Sequence, residues 1–158
     1  MTLLLSISAT SAFALLAFTV GRCRCLPDSL SDSYYLLGKQ RWLFQALMMV
    51  CGLTLFPAWM MLSSSGCRCL VFLSCASLLF VATAPRFKKE FESVVHYASA
   101  LVCCTSAMAW MLCEGFGCEV FKCACVASVL TLFRKDRWCL FAELAVMVGV
   151  YRCLFSCV

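Results

Sequence analysis

Glu92 and His96 stand four residues apart, one helical turn, so their side chains share a face that continues through Ser99 or Ala100 to Cys103. Glu143 lies in a second apolar run, five residues beyond Trp138. Ionisable groups at membrane depth are costly, and they normally face a bundle interior or water. An imidazole changes charge near neutrality where its surroundings allow, and Glu143 is its candidate counter-charge. The pair therefore suits a proton, a small solute or a lipid headgroup. A third polar group is the run Leu26-Pro-Asp-Ser-Leu-Ser-Asp-Ser-Tyr-Tyr35, dense in hydroxyls and carboxylates for so apolar a chain. Its simpler reading is a helix start, with Ser29 capping and Asp32 three residues on in the position of a capping-box acid. Its sharper reading folds Ser29, Ser31, Asp32 and Tyr35 over a pocket that holds Glu92, His96 and Glu143.

Fifteen cysteines add a second possible chemistry. Most lie inside apolar runs, where cysteine is a small apolar filler. The exceptions are the C-x-C pairs Cys23/Cys25, Cys67/Cys69 and Cys123/Cys125 and the adjacent Cys103 and Cys104. A closed zinc site wants four ligands in paired spacings, and with one histidine in the chain none is expected. Two thiolates suffice for a soft ion, so Cys103, Cys104, Cys23 and Cys25 form an alternative thiophilic-metal set, broadly resembling mercury-uptake carriers. Cys67, Cys69, Cys113 and Cys118 fall near one end of the expected spans, where oxidation can pair some of them. No cofactor is expected.

These residues must be positioned by helices in lipid. The chain has 158 residues, 64% hydrophobic and 13% charged, and a mean hydropathy of +0.95. Soluble domains carry about 25% charged residues, so polar side chains are too few to cover a water-exposed surface. Apolar runs separated by charge clusters predict six spans, at about 2–20, 42–62, 67–84, 93–113, 117–133 and 138–157. The fifth is the shortest, because its purely apolar part begins only at Cys123. The first is read as a retained span, since no basic residue precedes it and its run exceeds a usual leader core. Trp42 and Trp59 are about 26 Å apart along the second span, which suits two aromatic interface belts. Pro57 predicts a kink there. Of the thirteen Lys and Arg, ten fall in the first, third and fifth connectors and only Arg68, Lys122 and Arg152 on the other side. Basic residues accumulate on the cytoplasmic face, so both termini are expected outside it. The fold class is thus an all-α, polytopic transmembrane bundle in a single domain, placed in the cell (inner) membrane with the lipid bilayer as its first partner. Basic runs with interleaved aromatics are absent, so nucleic acid is not an expected partner. No phosphate-loop glycine pattern occurs.

Four patterns occur in order: P-x-S-x-S-x-x-Y-Y from Pro27 to Tyr35, A-P-x-F from Ala84 to Phe87, E-x-x-x-H from Glu92 to His96, and W-x-x-x-x-E from Trp138 to Glu143. Their order resembles a group of uncharacterised six-span bacterial integral membrane proteins. The resemblance implies the fold and the choice of polar positions, and it carries no chemistry. Three functional classes remain open. The first is a protein with a cytoplasm-side polar pocket that binds or moves a small solute, proton or lipid headgroup. The second is a structural protein that assembles with a membrane partner or with copies of itself through small-residue helix faces. The third is a carrier of thiophilic metal or an intramembrane hydrolase. A hydrolase loosely similar to the ceramidase and progestin-receptor superfamily would need several histidines, and a Ser31, His96, Asp32 triad would need a fold contact between distant segments. Enzymatic activity is therefore the less favoured reading.

Overall fold

The computed structural model describes residues 1–83 and 90–158, with the side chains of all of these except 90–93. The connector carrying Arg86, Lys88 and Lys89, and the side chain of Glu92, lie outside the described residues. The described residues are mostly helical, without strands. The helices are α1 (Thr2–Cys23), a short α2 (Ser33–Leu36), α3 (Trp42–Leu62), α4 (Arg68–Thr83), α5 (Glu90–Cys113), α6 (Gly117–Phe133) and α7 (Trp138–Ser156). Among the described residues, five stretches are long and apolar enough to cross a membrane: Thr2–Cys23, Gly38–Leu62, Ser65–Thr83, Val94–Cys113 and Lys135–Ser156. At 17 residues α6 reaches only about 25 Å, less than a hydrocarbon core of about 30 Å.

Helix ends follow local chemistry. The first helix runs past the Arg22 charge and stops where Arg24 takes left-handed dihedrals (φ 54°, ψ 23°), its N–H donating to the Val20 carbonyl. Pro27 then prevents the helix from resuming. At the end of α5, Gly115 adopts φ +85°, its N–H donates to Leu112 O, and the Phe116 N–H donates to Met111 O at 2.8 Å. That pair of bonds is a Schellman closure, and it needs the conformation glycine takes without a Cβ penalty. Pro57 sits within α3 without ending it.

α1 packs on α3, α3 on α4 and α4 on α5, while α7 contacts both α5 and α1 and so closes a ring. α6 lies outside that ring, against α7 and the edge of α5, and has no buried residue. The distribution of polarity inverts that of a soluble protein. Leu101, Phe121, Leu132 and Phe133 are 65–79% exposed, whereas Ser8, Ser11, Thr19, Ser74 and Ser106 are buried. Several of these hydroxyls donate to a carbonyl one turn earlier, as Thr19 does to Leu15 O at 2.8 Å and Ser11 to Ile7 O at 2.8 Å. Others cross between helices, and this suits association in lipid, where hydrocarbon gives helices no reason to pair. Such surfaces and helices are those of a membrane protein.

Trp59 departs from the expected belt. It is 2% exposed, and its ring meets Trp110 edge to face at 5.0 Å and 87°. Such a pair adds about 0.5–1.5 kcal/mol beyond area burial. Trp110 in turn donates Nε1–H to Ser63 Oγ at 2.8 Å, and Ser63 donates to Trp59 O at 2.7 Å. Of the two, Trp42, 60% exposed, is free to face an interface. The spacing was right for two belts, but tertiary packing claimed the second ring.

Gly149 of α7 sits where the neighbouring helices leave no room for a side chain. A Cβ there would stand 2.7 Å from Cys123 Sγ of α6 and 3.4 Å from Met111 Sδ of α5. Gly149→Ala is expected to push α6 away and destabilise the bundle by about 1–3 kcal/mol. Thermal unfolding in detergent checks this. The Gly149→Ala, Cys123→Ala double variant should recover most of the loss, because it removes the opposing thiol. A single variant that melts like the parent would remove the argument.

Candidate functional site

Three contacts lay the segment Leu26–Ser31 across the start of α7. The Arg137 guanidinium holds the Leu26 and Pro27 carbonyls, and the Leu140 N–H, one of the open donors of the first helical turn, finds Asp28 O at 3.1 Å. One turn further in, Glu143 Oε2 accepts the Leu30 N–H at 2.6 Å. Within the segment, Ser29 Oγ accepts the Asp32 N–H at 3.1 Å and lies 3.0 Å from Ser31 Oγ, while Asp32 Oδ2 faces the Asp28 N–H at 3.4 Å. The expected helix start at Ser29 is not formed: Ser29 Oγ closes a turn, and α2 begins only at Ser33, after Asp32, whose carboxylate faces the Asp28 N–H and makes no capping bond. Tyr34 is buried and packs edge to face on Phe44, 5.9 Å between centroids, with the Arg41 guanidinium 5.8 Å from its ring. Tyr35 is 60% exposed.

Under this strap lies a partly open cavity of about 110 Å³. Leu30 and Ser31 of the strap and Glu143 of α7 line one end. Cys51, Leu55 and Trp59 of α3, Ser74, Cys75 and Leu78 of α4, Ala100, Cys103, Cys104 and Ala107 of α5, and Val146, Val150 and Tyr151 of α7 line the rest. Glu143 is the one acidic or basic side chain among the lining residues. Among the described residues no Lys, Arg or His forms an ion pair with it, and its second oxygen has only a 3.8 Å contact from the Cys139 thiol. The walls are otherwise mostly apolar or thiol, with the hydroxyls of Ser31, Ser74 and Tyr151 among them. Deep in the bundle, Ser8 donates to Cys51 O at 2.9 Å, so the 2.6 Å contact between its oxygen and the Tyr151 hydroxyl requires the tyrosine to donate. This tie joins α1, α3 and α7 beside the cavity. Ser74 donates to Cys103 O at 3.0 Å and joins α4 to α5. Trp59 carries an indole N–H that has no partner among the described residues.

The structure thus brings Ser31 and Glu143 onto one cavity, 112 positions apart in sequence. Ser29 and Asp32 shape the strap instead, and Tyr35 lies outside the lining. His96 is also outside it. Its ring stands edge-on to Tyr97 at 5.9 Å, and its buried Nδ1 finds no hydrogen-bond partner among the described residues. Cys103 and Cys104 line the cavity, whereas Cys23 and Cys25 sit at the end of α1, with Cys23 donating to Leu36 O at 3.5 Å. Among the described residues no group of three or more His, Cys, Asp or Glu side chains is arranged to hold a metal ion. Sequence reasoning missed Tyr151, although a hydroxyl within an apolar run was signal enough to find it. It also missed Arg137 as an anchor, because the charge was fully explained by topology. No protein family, curated protein or solved structure matches the chain.

Proposed function

We propose that this is a six-span membrane protein that seats the hydrocarbon part of an amphiphile in the cavity, with the polar head at the Ser31 and Glu143 end. The observation that carries the reading is the composition of the walls: a single carboxylate at one end and mostly apolar or thiol side chains elsewhere, with the Ser74 and Tyr151 hydroxyls already hydrogen-bonded to neighbouring helices. An apolar cavity of about 150 Å³ takes a benzene-sized guest, so 110 Å³ suits a short chain segment or small ring. A buried carboxylate with no cation among the described residues favours a guest whose head donates hydrogen bonds, and the indole N–H of Trp59, unpartnered among the same residues, favours an acceptor group or water. A solute pathway has less support, because the walls offer few polar groups to a hydrated species. On this reading α6 also crosses the membrane, as the fifth of six spans, both termini lie outside the cytoplasm, and the strap faces the cytoplasm of a cell whose inner membrane holds the protein. The ten basic residues of the strap-side connectors support that orientation. The order of polar patterns shared with uncharacterised six-span bacterial proteins fits the same arrangement.

Purification in mild detergent followed by native mass spectrometry tests the proposal. One amphiphile per chain, retained through detergent exchange and enriched over its share of bulk lipid, is the expected result. Bare protein, or adducts that mirror bulk lipid, would favour the assembly reading instead. That reading rests on α6, which presents Phe121, Val126, Leu132 and Phe133 outward and has no fully buried residue.

A further inference from the structure

At the strap end of the bundle, four basic residues gather around one contact. The Cys23 thiol, at the end of α1, donates at 3.5 Å to the carbonyl of Leu36, the last residue of α2. Arg22 and Arg24 flank Cys23 in the chain. Beyond Leu36 the chain turns through Gly38, at φ +52°, into the tight turn Gly38–Gln40 that carries Lys39. Arg41 follows, its guanidinium 5.8 Å from the Tyr34 ring. Because α1 packs along α3, the end of the one lies beside the start of the other. All four bases are exposed, and among the described residues none of them forms an ion pair. Of the acids described at this end, Asp136 pairs with Arg134 and Arg137, Asp32 faces the Asp28 N–H, and Asp28 pairs with none of the four bases. Exposed rings accompany the bases along the chain: Tyr35 and Trp42 are each 60% exposed, and Phe18, one turn before Arg22, is 39% exposed.

We propose that Arg22, Arg24, Lys39 and Arg41 form a binding site for the headgroup of an anionic phospholipid in the leaflet at the strap end. Three of the four are arginine, whose planar fork of donors matches phosphate oxygens. A zwitterionic headgroup brings the same phosphate with a cation attached, and four unpaired bases disfavour that cation. Tyrosine and tryptophan favour headgroup depth, so Tyr35 and Trp42 suit the rim of the site, while Phe18 offers apolar surface to the acyl chains below it. Membrane orientation asks only that bases lie on this side of the bilayer. It does not ask that four of them meet at one edge without an acid, while those of the α6–α7 connector share Asp136. None of the four lines the cavity, so this site stands or falls apart from the seated amphiphile.

Native mass spectrometry of the full chain, given phosphatidylglycerol and phosphatidylcholine of matched chains in equal amounts, tests this. Wild-type protein is expected to retain phosphatidylglycerol over phosphatidylcholine by about fivefold or more, the effect of one or more basic residues near an anionic headgroup. The Arg24→Gln, Arg41→Gln double variant should bring the two lipids close to parity. Arg134→Gln with Lys135→Gln removes the same charge from the same end and should keep the preference. A large excess of inorganic phosphate should leave the lipid in place. Equal retention of the two lipids by wild type, an equal loss of preference in both double variants, or displacement of the lipid by phosphate alone would each overturn the proposal. A second measurement uses the unaltered chain and decides the matter even if a variant fails to fold. In vesicles of phosphatidylglycerol, phenylglyoxal should modify Arg22, Arg24 and Arg41 more slowly, relative to Arg134, than in vesicles of phosphatidylcholine. Relative rates that do not change between the two vesicles would count against the site.

Discussion

Replacing Glu143 with alanine is expected to release the Leu26–Ser31 strap from α7. The carboxylate accepts the Leu30 N–H at 2.6 Å, and Leu30 is only 9% exposed, so the variant leaves a buried donor without a partner. That costs about 1–3 kcal/mol, which corresponds to roughly a 5- to 150-fold rise in opening of the segment. Hydrogen exchange at the Leu30 amide reads this directly, and cleavage by a protease between Leu26 and Ser33 should rise in parallel. Glu143→Gln keeps a carbonyl oxygen in the same place and should restore most of the protection. Arg137→Ala should act in the same direction by freeing the Leu26 and Pro27 carbonyls. Unchanged exchange at Leu30 in Glu143→Ala would mean that the contact contributes nothing to holding the strap. Separate effects on amphiphile retention then tell whether the carboxylate also meets the head of the guest, since the glutamine variant keeps the strap but removes the charge.

The second large effect is expected at Ala107. This residue is 3% exposed and lines the cavity from α5, so a phenyl ring added there enters space that is now empty. Ala107→Phe is expected to lower retained amphiphile at least tenfold, a change of about 1.4 kcal/mol or more in binding free energy. Overpacking a tight site costs about 1–3 kcal/mol, but a ring that fills a void recovers contacts, so the melting temperature should hold or rise. The smaller Ala107→Leu should show an intermediate loss. A variant that retains its amphiphile as the parent does, at unchanged stability, would place the guest somewhere other than this cavity.

Much of the helical framework was legible because charge clusters and apolar runs alternate cleanly. The expected boundaries 42–62 and 117–133 coincide with α3 and α6. Helix α1 instead continues three residues past Val20, since Arg22 can extend its long side chain to water and only the left-handed Arg24 ends the hydrogen-bonded ladder. Glu143 was legible for the same reason that it is costly: a carboxylate within an apolar run must be served by something. What serves it is a backbone N–H, and backbone groups leave no mark in the sequence that would identify their partner. Trp59 shows the opposite case, where its own spacing argued for an interface and Trp110, in another helix, drew it inward. The strap's hydroxyls and Asp32 were read correctly as polar outliers, yet their hydrogen bonds are mostly local, shaping the segment that Arg137, Leu140 and Glu143 hold. Periodicity marks which face of a helix is polar, but not which distant segment lies against it.

The most direct test of the seated amphiphile is photolabelling in membranes that contain the full chain. A single-chain amphiphile with a diazirine near the end of its alkyl chain is added, the sample is irradiated, and labelled positions are mapped by mass spectrometry. Labels on Leu55, Ala107, Val150 and their neighbours inside the ring of α3, α5 and α7, abolished by Ala107→Phe, are the expected result. Labels confined to outward residues such as Leu101, Phe121, Leu132 and Phe133, and unchanged in the variant, would contradict a guest in the cavity.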